Sequence, residues 1–96
     1  MLILNKGYKQ GDVISVKLSN GDELISGFES ETDDEIKLHR PLALTTQGGG
    51  LGMMPWMLLG SDDFITLKKI HVMAVSTSKK DAADQYTQGT SGIALA

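Results

Sequence analysis

The stretch DVISVKLSNGDELISGF, residues 12–28, decides the fold. Its first half places Ile14, Val16 and Leu18 at every second position, which is the spacing of a strand with one buried face. The alternation ends at Asn20-Gly21, the strongest short-range signal for a two-residue hairpin turn. Two antiparallel strands are therefore predicted, one on each side of this dipeptide.

The sequence leaves two registers open for this hairpin. A strict two-residue turn would set Ile25 opposite Val16. A bend or bulge near Ser26-Gly27 would instead turn Leu24 and Phe28 inward. The two registers differ in which apolar side chains of the second strand enter the core, because successive side chains point to opposite faces.

Three further strands are predicted downstream. One begins at Glu35 and carries an apolar face of period two, formed by Ile36, Leu38, Leu42 and Leu44. Pro41 lacks a ladder donor, so we expect a break near residues 40–42. Residues 64–69 and 72–76 supply two short strands that are joined with almost no loop. The expected fold is mainly β, with five strands in a single domain of residues 1–96.

Two segments lie outside these strands. Residues 46–63 form an insertion between the third and fourth strands, and it is longer than the ~12–15 residues that compact domains tolerate without structure. Residues 78–96 form a tail in which Ser78, with Asp81 three positions on, predicts the start of a short helix. Gly89 is expected to end that helix. The five predicted strands together span about residues 12–76.

Composition narrows the class of protein. A chain of 96 residues builds only a modest core, and with zero cysteines neither disulfides nor a thiolate zinc site can reinforce it, which leaves self-association. The lack of cysteine, of a signal-peptide pattern and of a run of about 20 apolar residues favours a cytoplasmic protein with no membrane span. A net charge of -3 argues against a general polyanion binder.

No pattern indicates an enzyme. His39 and His71 lack the spacing of metal ligands and are expected to be surface or interface residues. The run GGGLG lacks the Lys-Ser/Thr of a phosphate-binding loop, and the adjacent carboxylate pairs lie in polar segments where little burial is expected. We therefore expect no catalytic residue, no bound metal and no cofactor.

The hairpin and the late pair of short strands carry a family resemblance. Residues that match its first motif, with one extra residue allowed at 29–33, are Val16, Leu18, Asn20, Gly21, Ser26, Phe28, Asp33, Ile36 and Leu38. Leu67-Lys68-Lys69-Ile70 is a loose match to its second motif. In these features the chain resembles the Sm-like family, which includes the LSm and Hfq-type RNA chaperones, and among them the small Sm-like proteins of marine cyanophages. An OB-fold is the alternative, although the expected helix between its third and fourth strands has no good candidate here.

The resemblance implies a five-stranded, strongly bent antiparallel small barrel over about residues 12–76. It also implies a closed homo-oligomeric ring of about five to seven subunits, located in the host cytoplasm if the protein is phage-encoded. In such rings the fourth strand of one copy pairs with the fifth strand of the next. The implied interface residues are Phe64, Ile65, Thr66, Leu67, Val72, Met73, Ala74 and Val75. The alternative is that both strands are interior strands of a monomer.

Two functions remain open. The resemblance places single-stranded RNA at Glu35, Lys37, Lys68 and Lys69. Glu35 and Lys37 stand where the family has a stacking ring and an asparagine, so only weak, backbone-directed binding is expected. The competing hypothesis is a protein-docking scaffold, because a flexible Met-rich surface with one Trp adapts to partners. Its candidate residues are Met53, Met54, Trp56, Met57 and Leu58, unless this segment folds back over the barrel as core.

Overall fold

The computed structural model describes residues 7–46 and 50–95. These residues form a mainly β fold with one C-terminal helix, and the predicted fold class is confirmed at that level. The elements are β1 (Val13–Leu18), β2 (Glu23–Glu31), β3 (Glu35–Thr45), β4 (Gly52–Pro55), β5 (Phe64–Lys68), β6 (Val72–Thr77) and α1 (Lys80–Leu95). Residues 47–49 of the predicted insertion and residue 96 of the predicted tail lie outside the described residues.

All the strand pairs are antiparallel, in the order β4-β3-β2-β1-β6, with β5 also paired to β3. One edge of β3 faces β2, and its other edge is divided between two strands. Residues 35–39 pair with β5 and residues 42–45 pair with β4. Within the described chain β5 and β6 do not pair with each other, so the sheet is open.

The prediction of five strands was one too few. The sixth, β4, lies inside the insertion, where Ala43 pairs with Met54 and Leu44 pairs with Met53. Strand propensity does not predict β4, because glycine and proline, which are rare in strands, lie at its two ends. Backbone hydrogen bonds to β3 form this strand, and β3 offers an edge there because β5 covers only the first half of it.

The hairpin has a three-residue turn rather than the predicted two. Leu18 donates its amide to the Asp22 carbonyl at 2.8 Å, and the Gly21 amide returns a bond of 2.9 Å to Leu18. Gly21 has φ 99, a conformation that glycine adopts without strain. The extra turn residue shifts the register by one, so Leu24 rather than Ile25 lies opposite Val16.

The core lies on one face of the first three strands. Its members are Ile14, Val16, Leu18, Leu24, Phe28, Ile36 and Leu38. Leu24 and Phe28 therefore point inward, as one of the two predicted registers required. Ile25 is also fully buried, so β2 is covered on both faces through its middle. At about 25 cal/mol per Å² of apolar surface, this cluster is the main source of stability in a chain of this size.

The expected break near residues 40–42 takes the form of a bend in a continuous strand. Arg40 has φ 51, the one positive φ among the described residues that are not glycine. It lies where the outer edge of β3 changes partner from β5 to β4. The Arg40 amide donates to the carbonyl of Asp63 at 2.7 Å, and its Nε lies 3.3 Å from the Asp63 carboxylate. These bonds to the segment before β5 hold the bend.

The helix is longer than predicted. It begins at Lys80, two residues after Ser78, and continues through Gly89 to Leu95. A glycine inside a helix costs about 1 kcal/mol relative to alanine, which weakens a helix without ending it. Ser78 does not open the helix, because its buried hydroxyl lies 2.9 Å from the hydroxyl of Ser15 on β1. Tyr86, which is 5% exposed, fixes the middle of α1 against β2 and β3.

Candidate nucleic-acid interface

The pairing of β3 with β5 brings the four predicted RNA-binding residues to one region. Glu35 lies opposite Lys68 in the ladder, Lys37 lies opposite Thr66, and Lys69 follows β5 directly. Alternate side chains point to opposite faces of the sheet, so Ile36 and Leu38 enter the core while Glu35 and Lys37 face outward. The outer face of this ladder therefore carries the charged groups.

Two of the three lysines in this region already form ion pairs with carboxylates of the same chain. The Nζ of Lys68 lies 2.7 Å from Glu35 Oε2, and the Nζ of Lys69 lies 2.7 Å from Glu31 Oε1. A phosphate that approaches either ammonium group must compete with a carboxylate already in contact. Exposed pairs of this kind contribute only about 0–1 kcal/mol to stability, so the competition is possible but lowers the affinity for phosphate.

Lys37 differs from the other two lysines. It is exposed, and its Nζ lies 5.8 Å from the ring centroid of Phe64. The Phe64 ring in turn stacks on the imidazole of His39, with 4.8 Å between centroids and 25° between planes. The result is a short outward-facing row of one cation and two stacked rings at the other end of the ladder from Lys68.

Sequence reasoning missed this row. His39 was expected to be an ordinary surface or interface residue, and Phe64 was assigned only to the subunit interface. The signal was present in the pattern, because His39 shares a strand face with Lys37 and Phe64 begins the strand that must pair with it. What the sequence does not give is the register of that pair, which sets Phe64 opposite His39.

Comparison with protein-family models and with curated protein sequences gives no match.

Negative charge surrounds the lysines. Four carboxylates lie on or beside the loop between β2 and β3, namely Glu31, Asp33, Asp34 and Glu35. They face three ammonium groups, those of Lys37, Lys68 and Lys69. The backbone brings the two groups together, because the amide of Lys69 donates to the carbonyl of Asp34 at 2.7 Å. This local balance opposes strong binding of a polyanion.

The predicted interface residues lie on two strand edges. Ile65, Leu67, Val72 and Val75 are half-buried, and the last three pack against the core. Phe64 and Met73 are exposed, by 44% and 70%, and Ile70 in the 3₁₀ turn Lys69–His71 is exposed by 83%. The two strands and the turn that joins them thus combine inward-facing core side chains with outward-facing apolar ones.

The predicted docking residues divide into two groups. Trp56 is half-buried against the core, and its indole Nε1 donates to the Asp22 carboxylate at 3.2 Å. Met54, Met57 and Leu58 are exposed, and the neighbouring Leu59 is exposed by 99%. Met53 is half-buried in the short ladder with β3. Trp56 therefore packs over the core, and the loop that follows it carries the exposed apolar surface.

A cleft of about 330 Å³ lies beside this loop. Its wall combines Pro41, Leu42, Pro55, Met57 and Ile65 with the paired charges of Arg40 and Asp63.

The described residues contain no group of three side chains that could hold a metal ion. No helix in the described part of the chain is long and apolar enough to cross a membrane. Burial raises the pKa of Tyr86 above the ordinary value of 10.0, against the lowering effects of the Gly27 amide and the Arg40 charge. Tyr86 anchors α1 to the sheet, so its raised pKa does not mark a reactive site.

Proposed function

We propose that this chain is an Sm-like protein that assembles into a closed homo-oligomeric ring and binds single-stranded RNA weakly. The observation that carries the proposal is the pair of open strand edges. Within the described residues, β5 pairs only with β3, and β6 pairs only with β1. Each strand thus offers a row of backbone donors and acceptors on its outer side, and such edges favour pairing with another chain.

The two edges are different surfaces, which bears on the symmetry of the assembly. A contact between β5 of one copy and β6 of the next is heterologous, because each copy uses two distinct patches. Contacts of this type close into a ring when the rotation divides a full turn, and a ring leaves no edge exposed. The exposed side chains of Ile70 and Met73 would lose water at such contacts. About five to seven copies are expected from the Sm resemblance.

Light scattering across a dilution series tests the ring. Wild-type protein should give a single species of about five to seven chain masses. Met73→Lys should dissociate it, because a charge on the β6 edge would be buried in the contact without a partner. Leu59→Lys is the matched control, since Leu59 is even more exposed than Met73, 99% against 70%, but lies off both edge strands. A monomeric wild type at micromolar concentration would contradict the proposal.

RNA binding is proposed at the outer face of the β3–β5 ladder. Lys37 would contact phosphate, and the stacked pair of His39 and Phe64 would offer a ring face to a base. Stacking of one base on an aromatic side chain is worth about 1–3 kcal/mol. Lys68 and Lys69 would add phosphate contacts only by leaving Glu35 and Glu31. Repetition of this weak site around a ring would raise the overall affinity through effective concentration.

Titration with labelled oligo(U) and oligo(A) at several salt concentrations tests this part. Binding should fall as salt rises, and each lysine that contacts phosphate should add about 0.7 to the slope of log K against log salt. Lys37→Ala and the Lys68→Ala, Lys69→Ala double variant should both lower that slope. Lys9→Ala is the control, because Lys9 is exposed and lies outside the ladder. Absence of binding at low salt would exclude RNA as a ligand of this face.

Protein docking is the second candidate, and the exposure of Leu58 and Leu59 favours it. Two adjacent leucines in water are unusual unless a partner covers them. What copurifies with the protein separates the two candidates, because nucleic acid raises the ratio of absorbance at 260 and 280 nm and a polypeptide gives a second stoichiometric band. Leu58→Ser with Leu59→Ser should release a docked polypeptide and leave bound RNA in place. Copurification of nucleic acid without a second polypeptide would instead favour RNA binding.

A further inference from the structure

The stacked pair of His39 and Phe64 lines a cleft of about 330 Å³, a different cleft from the one beside residues 57–60. Residues of β2, β3, β5 and α1 form its wall. Gly27 lies in this wall, and a side chain there would crowd His39, since its Cβ would lie 3.3 Å from the His39 Cβ. The volume is at the lower end of the range for small-molecule sites, about 300–1,000 Å³. None of the residues that line the cleft is among the four that the Sm-like resemblance assigns to RNA.

Glu29, half-buried on β2, brings a carboxylate to this cleft. Among the residues that the structure describes, it forms no ion pair. Its two oxygens each accept a bond of 3.2 Å from the same nitrogen, Nε2 of the exposed Gln10. Bonds of this length from a neutral amide are at the weak end of the range, and each oxygen keeps a lone pair for a further donor. A ligand with two adjacent donors therefore fits this carboxylate.

Guanine is the RNA base whose edge matches two adjacent acceptors. Its Watson–Crick edge carries the ring N–H beside the exocyclic amine, so one carboxylate accepts a bond from each. Adenine and cytosine each offer one amine beside a ring nitrogen that accepts, and uracil offers one N–H between two carbonyls. Each of these three bases would place an acceptor against a carboxylate oxygen, which is repulsive. A carboxylate at the edge of a stacking site thus selects guanine.

We propose that this cleft binds a guanine base, with the Glu29 carboxylate on its Watson–Crick edge and the rings of His39 and Phe64 against its face. The inference rests on the proposed stacking of a base on these rings, and it adds the identity of the base and the residue that reads it. A free guanine nucleotide and a guanosine within an RNA strand present the same base, so the experiment tests both sources.

The charges beside the cleft suit a nucleotide. A carboxylate that reads the base also repels the phosphate, so a cation is needed nearby. Lys37 supplies one, because its Nζ lies 5.8 Å from the ring centroid of Phe64 and forms no ion pair with a described residue. Phe64 is 44% exposed, so its ring is accessible to a ligand. Stacking on such a ring accepts any base, and the carboxylate supplies the selection.

Calorimetric titration of the full chain with mononucleotides tests the base preference. Guanosine monophosphate should bind about ten- to a hundredfold more tightly than adenosine monophosphate, which is the discrimination that a good bidentate contact gives. Inosine monophosphate keeps the ring N–H and lacks the amine, so its affinity should fall between the two. Equal affinities for all three, with no preference for guanosine in RNA either, would overturn the inference.

Three variants separate edge reading from stacking. Glu29→Gln should abolish the preference for guanine, because its amide offers one donor and one acceptor, the pattern that pairs with adenine. Glu23→Gln is the matched control, since Glu23 is exposed on the same strand and does not line the cleft. Phe64→Leu should lower the affinity for both nucleotides by about tenfold, because stacking does not depend on the edge. A preference that survives Glu29→Gln would contradict the proposed role of this carboxylate.

Oligo(U) strands with a single central guanosine or adenosine distinguish the two sources of the base. A preference for the guanosine strand that Glu29→Gln removes would show that the cleft reads guanine within RNA. Binding of guanosine monophosphate through Glu29 without binding of any strand would place a free nucleotide there, and the proposed RNA binding would fail alone. Strands that bind in a salt-dependent way with no preference for guanosine, together with equal affinities for the mononucleotides, would overturn this inference and leave the RNA proposal intact.

Discussion

The hydroxyl of Tyr86 donates a hydrogen bond of 2.6 Å to the carbonyl oxygen of His39. The Tyr86 hydroxyl oxygen also accepts a bond of 3.0 Å from the amide of Gly27, so one side chain from α1 joins β2 to β3. It does so where the pairing of these strands is irregular, between Ile25 and Gly27. Ser26 adds a bond of 3.0 Å from its hydroxyl to the carbonyl of His39. The ladder bonds lost at the irregularity are thus replaced by side chains.

Replacement of Tyr86 by Phe should lower the free energy of unfolding by about 1–3 kcal/mol, because the Gly27 amide is left buried without an acceptor. Urea denaturation followed by circular dichroism measures the change. Tyr8→Phe is the matched control, since the Tyr8 hydroxyl makes only a contact of 3.5 Å with the Val75 carbonyl. Equal losses in the two variants would show that the Tyr86 hydroxyl has no special role.

Stability should fall at alkaline pH through Tyr86. Burial raises its pKa in the folded protein above 10.0, so the folded state holds this proton more tightly than the unfolded state does. The contribution is therefore complete below about pH 10 and is lost as the pH rises through the folded pKa. Unfolding free energies measured between pH 8 and 12 should show a steeper decline in wild type than in Tyr86→Phe. Parallel declines would refute the linkage.

Gly21→Ala should destabilise the fold by about 1–2 kcal/mol, because its φ of 99 is unfavourable for a residue with a Cβ. Space is not the cause, since a Cβ at this position would meet no atom within 4 Å. Gly50→Ala is the control, with equally open surroundings and no positive φ, and it should change stability by less than about 0.5 kcal/mol. Thermal unfolding of both variants measures the difference. Equal stabilities would show that the turn relaxes to accept a side chain.

Trp56→Ala should lower the free energy of unfolding by about 2 kcal/mol, less than the ~3–5 kcal/mol typical of a fully buried Trp, because Trp56 is half-buried. Leu59→Ala, at a side chain that is 99% exposed, should be within about 0.5 kcal/mol of wild type. Chemical denaturation of both variants gives the comparison. A neutral effect of Trp56→Ala would favour a docking role for this residue over a role in covering the core.

The sequence predicts the strands whose apolar residues alternate and misses those features that depend on partners distant in the chain. The hairpin follows from the alternation of apolar residues together with the Asn20-Gly21 turn signal, and the strand from Glu35 follows from its period of two. The three-residue turn does not, because Asn-Gly fits both turn lengths. Gly21 has a positive φ in either turn, and the two turns differ at Asn20, which has no positive φ here. β4 was missed because its formation depends on an open edge of β3, which no local propensity records.

In the candidate site too, the sequence predicts the charged side chains but not the contacts that depend on strand pairing. The charges of Lys37, Lys68 and Lys69 are readable from the sequence, whereas their ion pairs with Glu35 and Glu31 depend on pairing across strands. The stack of Phe64 on His39 depends on that pairing too. Trp56 is the clearest case, since a lone Trp in a Met-rich segment fits a docking surface and a core cover equally well until its neighbours are known.

β3 has a neighbour on both sides along nearly its entire length, with β2 on one edge and β5 and β4 on the other. Its amide protons should therefore exchange with solvent deuterium only when the whole domain opens. The outward amides of β5 and β6 are protected by no other strand of the described chain. Their exchange rates should depend on protein concentration if copies associate through these edges, so a single exchange experiment would separate the stability of the domain from that of its assembly.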